Sequence, residues 1–270
     1  MSFPPPSDPS VVEPSFSRET QPPSSDAAPP PWTYLDLLRL VFFAIVSFVL
    51  AGALTFGVAE VARQLSGFEG ALDEFVGRAA FAVGLQIVWW LLLFGLLYYR
   101  TTVQLRRPFL ESFSWRPLDR PVGVYVFLGV GLAISVGLLS LVLPMPDERM
   151  PIEELFSDPF SVAVLAVFGV LLAPLVEELI FRGFLFSIFE RSHGQVAAVV
   201  LTATIFSLLH LEQYGGHWQS LAVLFYVGCA LGAIRAWSGR TSATTCVHAT
   251  YNATLFAGLI AALSQQGFPA

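Results

Sequence analysis

Seven long apolar stretches, separated by short polar ones, limit what this chain can fold into. Crossing the hydrocarbon core of a bilayer takes about 20 mainly apolar residues at a rise of roughly 1.5 Å each. The stretches lack the polar/apolar alternation of barrel strands, and backbone groups in lipid must be hydrogen-bonded internally, so the segments are predicted to be helices. They cover residues 34–61, 76–99, 122–143, 160–189, 195–211, 221–237 and 243–263.

The fold class predicted is therefore all-α, a polytopic membrane helical bundle. Pro174 lies inside the long fourth stretch and removes a helical hydrogen bond there, so either seven or eight transmembrane helices are expected. Composition agrees, because 13% of the residues are charged, against about 25% in soluble domains.

Three regions follow from the change in composition along the chain. Residues 1–31 are rich in Pro and Ser and are predicted to be a disordered cytoplasmic tail. Residues 32–154 hold the first three helices and an arginine-rich cytoplasmic loop, and residues 155–265 hold the remaining helices.

Arginine sets the predicted orientation. All 14 basic residues are arginine, and most fall on the side of the membrane that carries the N-terminus, which is therefore placed in the cytoplasm. The absence of lysine suggests a bacterial plasma membrane. The loop 100–120 interleaves arginines with aromatic residues, a pattern that indicates contact with anionic lipid headgroups and not with nucleic acid.

Polar residues inside the apolar stretches are concentrated in the last part of the chain. A charge at the centre of a spanning helix costs about 2.5–3.5 kcal/mol on insertion scales, so such residues usually face a protein interior. We therefore predict an intramembrane polar cavity. Its candidate residues are Glu177, Glu178, Arg182, His210, His248 and Asn252.

Helical geometry separates the two neighbouring acids. Glu178 and Arg182 are spaced i, i+4, so they share a face and are expected to pair. Glu177 points about 100° away from Glu178 and has no cation on its own face. The sequence thus predicts that Glu178 and Arg182 support the site and that Glu177 is free to act as a base. His248 and Asn252 also share a face at i, i+4.

Counting residues from the arginine-rich edge of the membrane gives the depth of each group. Glu177 is expected at about 20 Å and His210 at about 22 Å, by the rise of a straight helix. His248 and Asn252 are expected at about 10 and 16 Å by the same rise. Three helices could therefore bring these groups to similar depths.

These residue types support two kinds of hydrolytic chemistry. Glu177 and His210 could deprotonate a water, while His248 and Asn252 stabilise the oxyanion formed on an amide carbonyl. Alternatively, Glu177, His210 and His248 could hold a divalent metal such as zinc with a water in an open position. The sequence leaves both mechanisms open.

At these residues the chain resembles the CPBP family, also called the ABI family, of CAAX prenyl endopeptidases and bacteriocin-processing or immunity proteins. The family's EExxxR, FxxxH and HxxxN patterns correspond to 177–182, 206–210 and 248–252, and the resemblance covers about residues 155–265. It implies a helical membrane protease that needs no cofactor. In it, Glu177 activates water with His210, His248 and Asn252 stabilise the oxyanion, and Arg182 positions the acidic pair.

The function predicted is an intramembrane endopeptidase acting on a membrane-associated protein or peptide, of the prenylated CAAX type or not. Two other classes compete with it. A transporter would spread its intramembrane charges over both halves of the fold and often carry a repeat, and neither feature is present. A non-catalytic membrane scaffold or bacteriocin-immunity protein remains an alternative.

Overall fold

The computed structural model describes residues 1–2, 31–70, 77–143, 150–156 and 158–266, and in this part of the chain the regular structure is entirely helical. Six of the helices are long and apolar enough to cross a membrane. The predicted all-α, polytopic membrane bundle is therefore confirmed. The predicted tail over residues 1–31 lies almost entirely outside the described residues.

The first half of the chain contributes three long helices. They are α1 (Tyr34–Ser66), α2 (Arg78–Tyr98) and α3 (Val122–Val142). A π-helical turn, Tyr99–Gln104, extends α2, and a four-residue helix, Phe109–Ser112, lies in the arginine-rich loop. A 3-10 helix, Pro151–Phe156, precedes the second half.

The second half begins with one long, irregular segment. Its helices are α4 (Pro159–Val167), α5 (Ala173–Glu178) and α6 (Phe186–Leu209), joined by π-helical turns at Phe168–Leu172 and Leu179–Leu185. Two further helices complete the chain, α7 (Trp218–Ser238) and α8 (Thr241–Gln266).

Gly194 divides this segment into two antiparallel parts. Its backbone angles, φ 84° and ψ 170°, lie outside the helical region and in a region that glycine adopts readily. The chain turns back here. The reversal is evident from the ring of Phe206, which packs against that of Phe181 at 5.1 Å between centroids. The two parts correspond to the predicted fourth and fifth spans, so the described residues contain all seven predicted apolar segments. The helix continues through Pro174, and no eighth crossing forms there.

Close helix packing brings the second half together. A Cβ added to Gly228 of α7 would lie 2.9 Å from Cα of Ala203 in α6. Likewise, a Cβ on Gly129 of α3 would lie 2.7 Å from the carbonyl oxygen of Val247 in α8. Such distances are shorter than a van der Waals contact, so only glycine lets these helix pairs approach this closely.

The arginine-rich loop is fixed to the turn between α7 and α8. Thr241 donates hydrogen bonds to the carbonyl oxygens of Phe113, from its hydroxyl at 2.6 Å, and of Ser114, from its backbone N–H at 3.1 Å. Arg240 donates from Nη1 to the carbonyl oxygen of Pro117 at 2.8 Å. The loop is thus part of the packed structure.

Candidate active site

Glu178 and Arg182 form a fully buried ion pair. Arg182 donates from Nη1 to Oε1 of Glu178 at 2.9 Å, and both side chains have 0% exposure. Arg182 also donates from Nη2 to the carbonyl oxygen of Gly228 at 3.1 Å. The pairing predicted from the i, i+4 spacing is confirmed, and Gly228 is the position where α6 and α7 approach most closely.

His248 lies between the two acidic residues. Its Nδ1 atom donates to Oε1 of Glu178 at 2.9 Å, and its Nε2 atom lies 3.9 Å from Oε2 of Glu177. The Glu177 side chain is 21% exposed, whereas that of Glu178 is completely buried. The two neighbouring carboxylates therefore differ as the helical geometry predicts: one is enclosed by partners and the other is accessible.

His210 joins this group through the ring of Phe206. The Phe206 ring centroid is 4.5 Å from that of His210 and 6.2 Å from that of His248. His210 Nδ1 lies 2.6 Å from the carbonyl oxygen of Phe206 and donates to it, which leaves Nε2 as the unprotonated nitrogen of the neutral ring. His210 ends α6, and its backbone angles are no longer helical.

Asn252 is engaged by a backbone group that the sequence did not indicate. Its Nδ2 atom donates to the carbonyl oxygen of Gly169 at 2.6 Å. Gly169 belongs to the π-helical turn Phe168–Leu172. In such a turn the ordinary i, i−4 bonding is interrupted, and a side-chain donor can satisfy a carbonyl oxygen that the helix leaves available.

Arg235 is a buried residue near the site that sequence reasoning placed only at the arginine-rich edge. Its side chain is almost completely buried and donates from Nε to the carbonyl oxygen of Arg182 at 3.0 Å. It also donates from Nη2 to Oγ of Ser114 at 3.0 Å. Arg235 thus connects the arginine-rich loop with the π-helical turn that carries Arg182. The sequence feature that could have indicated this buried role is the position of Arg235 within an otherwise apolar run.

Two tyrosines also lie near the polar cluster. Tyr251 is buried, and its ring centroid is 6.5 Å from that of His248. Tyr214 lies in the connection between α6 and α7, where burial raises the pKa of its phenol and the carboxylate of Glu177 raises this pKa further. Both were missed, although Tyr251 lies within the 248–252 motif.

The predicted metal ligands are not gathered around a common point. No group of three or more His, Cys, Asp or Glu side chains suited to a metal ion occurs within the described part of the chain. His248 uses Nδ1 on Glu178, and His210 uses Nδ1 on a backbone carbonyl. Each ring thereby keeps Nε2 as the nitrogen that could bind a metal, which is the usual arrangement of metal-binding histidines.

A helical bundle that encloses two carboxylates, a guanidinium and two imidazoles defines a polytopic integral membrane protein with a polar site inside the bundle. Residues 159–254 match the family described as Type II CAAX prenyl endopeptidase Rce1-like. This match agrees with the resemblance to the CPBP family that the three motifs indicate. No curated protein and no solved structure matches the chain.

Proposed function

We propose that this protein is an intramembrane endopeptidase that hydrolyses a peptide bond by means of a water activated at Glu177. The observation that carries the proposal is the difference between the two neighbouring acids. Glu178 is enclosed by Arg182 and His248, while Glu177 is accessible and faces Nε2 of His248 at 3.9 Å.

The distance between Glu177 and His248 suits a bridging water. At 3.9 Å the two atoms are too far apart for a direct hydrogen bond. A water within about 2.8 Å of each would fill this position. Glu177 would accept one proton from it, and the oxygen would attack the carbonyl carbon of the substrate. The C–N bond then breaks as Glu177 returns the proton to the leaving nitrogen, giving a carboxylic acid, which keeps the second water proton, and an amine.

His210 is proposed to assist this water. With Nδ1–H bound to the Phe206 carbonyl, the neutral ring presents Nε2 as an acceptor. An acceptor of this kind can orient a second water proton or take part in its transfer. The Phe206 ring, which contacts both imidazoles, fixes the position of His210 relative to His248.

His248 is proposed to donate to the oxyanion of the tetrahedral intermediate. Since Nδ1 already donates to Glu178, donation from Nε2 requires the doubly protonated ring. The positive charge of that form would lie between the carboxylates of Glu177 and Glu178. Besides pairing with Arg182, Glu178 fixes the orientation of the His248 ring through this hydrogen bond.

Asn252 is proposed as the second donor. Its carboxamide carries two N–H bonds, and donation to Gly169 uses one of them. The bond to Gly169 holds the amide in place, and the other N–H can reach an oxyanion. In a water-poor site a fixed donor of this kind typically contributes about 10²–10³ in kcat.

The substrate class proposed is a protein or peptide held in or at the membrane, of the prenylated CAAX type or unprenylated. The matched family, described as a CAAX prenyl endopeptidase, supports this class. The partners proposed are accordingly the lipid bilayer and one membrane-associated polypeptide.

The test is cleavage of fluorogenic membrane peptides, prenylated and unprenylated, by the purified full chain in detergent. Wild type and Glu177→Gln are compared, each with and without a strong chelator, and products are identified by mass. We expect cleavage by wild type, insensitivity to the chelator, and loss of cleavage in the variant. Loss of cleavage in the presence of the chelator would indicate that a bound metal activates the water. No cleavage by folded wild type would favour the scaffold or immunity alternative.

A further inference from the structure

A groove between α1 and α2 lies outside the segment that matches the family. Its wider end is a cavity of about 520 Å³ at the start of α1, and a second cavity of about 430 Å³ follows it along the same two helices. Phe43 and Leu96 line both, so the two cavities adjoin each other. We propose that this groove binds one anionic phospholipid.

The wider end carries charged groups at the edge of the membrane. Asp36 is almost completely buried and accepts hydrogen bonds from Nε of Arg100 at 2.9 Å and from Nη1 of Arg39 at 3.3 Å. Gln104 accepts from Nη1 of Arg100 at 2.9 Å. All four residues line the cavity.

The charges at this end do not balance. Two guanidinium groups face one carboxylate, which leaves an excess of one positive charge. The Arg39 side chain is 46% exposed and that of Arg100 is 29% exposed, so both can reach a ligand in the cavity. A lipid whose phosphate diester is not neutralised by a cationic headgroup supplies the missing negative charge, and guanidinium groups bind phosphate through several parallel hydrogen bonds.

The rest of the groove suits an acyl chain. Beyond the charged end it is lined by apolar residues, down to Leu50 on α1 and Leu91 on α2, and by Ser47, whose hydroxyl donates to the carbonyl oxygen of Ala44. From Asp36 to Leu50 the helix rises about 21 Å, which exceeds the roughly 15 Å thickness of one hydrocarbon leaflet. One chain of a phospholipid therefore fits alongside α1 while its headgroup stays at the membrane edge.

The groove also touches the segment that carries the candidate active site. Phe184, which lines the charged end, belongs to the π-helical turn Leu179–Leu185 that contains Arg182. Trp32 packs against Phe184 at 4.8 Å between ring centroids, and its Nε1 donates to the carbonyl oxygen of Ser112. Trp32 and Phe184 are both fully buried, so a lipid in the groove would lie beside this segment without touching Phe184 directly.

The experiment measures the binding of phosphatidylglycerol and phosphatidylcholine to the delipidated full chain in mild detergent, by native mass spectrometry. We expect one phosphatidylglycerol per chain, held more tightly than phosphatidylcholine. Arg39→Gln removes a charge-assisted donor and should weaken phosphatidylglycerol binding by about tenfold. Leu96→Trp should weaken the binding of both lipids by filling the groove.

Two control variants separate a defined site from general attraction to the membrane edge. Arg63→Gln removes an arginine that also pairs with an acid three positions earlier, but at the other end of α1. Leu138→Trp adds the same bulk at an exposed position of α3. Neither control variant should change the binding of either lipid. Equal affinity for the two lipids, or equal losses in test and control variants, would overturn the proposal, as would a prenylated peptide displacing the lipid completely.

Discussion

His248 donates a hydrogen bond from Nδ1 to Oε1 of Glu178 over 2.9 Å, although the two residues are 70 positions apart in the chain. The same Glu178 oxygen also accepts from Arg182. One carboxylate therefore fixes both a guanidinium from its own segment and an imidazole from α8. This leaves the neighbouring Glu177 as the acid with access to the site.

Replacement of Arg182 by glutamine should strongly destabilise the protein. Removing one partner of a buried ion pair leaves the other charge uncompensated, and we expect the free energy of unfolding to fall by about 3–5 kcal/mol. Thermal unfolding in detergent measures this. Arg63→Gln, at the exposed pair with Glu60, is the matched control and should change the midpoint little. Equal midpoints for the two variants would contradict a structural role of the Arg182 pair.

Replacement of Gly228 by alanine should separate α6 from α7. The added Cβ would lie 2.9 Å from Cα of Ala203. Overpacking of this kind costs about 1–3 kcal/mol, and it displaces the carbonyl oxygen that accepts from Arg182. Gly52→Ala on α1, where a Cβ meets no atom within 4 Å, should instead stabilise its helix by about 0.5–1 kcal/mol. The unfolding midpoint should therefore fall in Gly228→Ala and rise in Gly52→Ala, relative to wild type.

Replacement of Arg235 by glutamine should loosen the arginine-rich loop. The variant loses donors to the Arg182 carbonyl and to Ser114 Oγ, so the attachment of the loop weakens. Limited chymotrypsin digestion should then cut faster after Phe113 and Trp115 than in wild type. Arg63→Gln, which removes an arginine at the far end of α1, should leave the cutting rate unchanged. A rate unchanged in Arg235→Gln would mean that other contacts alone hold the loop.

Asp119 should contribute to stability only above acidic pH. The hydrogen bond from the Tyr125 hydroxyl, together with Arg240 and Arg120, lowers the pKa of this carboxyl below its usual value. A lowered folded-state pKa gives stabilisation above the unfolded-state value, and this is lost as the pH falls through the folded-state value.

The midpoints of wild type and Asp119→Asn, measured against pH, check this expectation. Because Asp119 is partly exposed, the difference near neutral pH should be at most about 1 kcal/mol. It should shrink as the pH falls below the ordinary pKa of an Asp carboxyl, and vanish once the carboxyl of the folded state is protonated as well. A difference that persists at low pH would attribute the effect to packing and not to charge.

The spans and the Glu178–Arg182 pair could be predicted from the sequence because both depend on local periodicity. Apolar length decides whether a segment crosses, and an i, i+4 spacing decides which side chains share a face. Pro174 left the predicted count at seven or eight, and the π-helical turns on either side of it keep the segment continuous, which favours seven.

The bonds that hold this irregular segment could not be predicted. They come from residues far along the chain: Arg235 binds the carbonyl of Arg182, and Asn252 binds that of Gly169. The bond from His248 to Glu178 depends on the same long-range packing. Depth estimates from straight helices allow these groups to meet but contain no information on which atoms pair.

The different roles proposed for Glu177, as the reactive acid, and Glu178, as the structural one, can be separated by one paired measurement. Glu177→Gln and Glu178→Gln are purified in parallel, and each is assayed for the unfolding midpoint and for turnover of a peptide that wild type cleaves. We expect a wild-type midpoint with turnover lost for Glu177→Gln, and a clearly lowered midpoint for Glu178→Gln. Wild-type turnover in Glu177→Gln, or an unchanged midpoint in Glu178→Gln, would contradict this expectation.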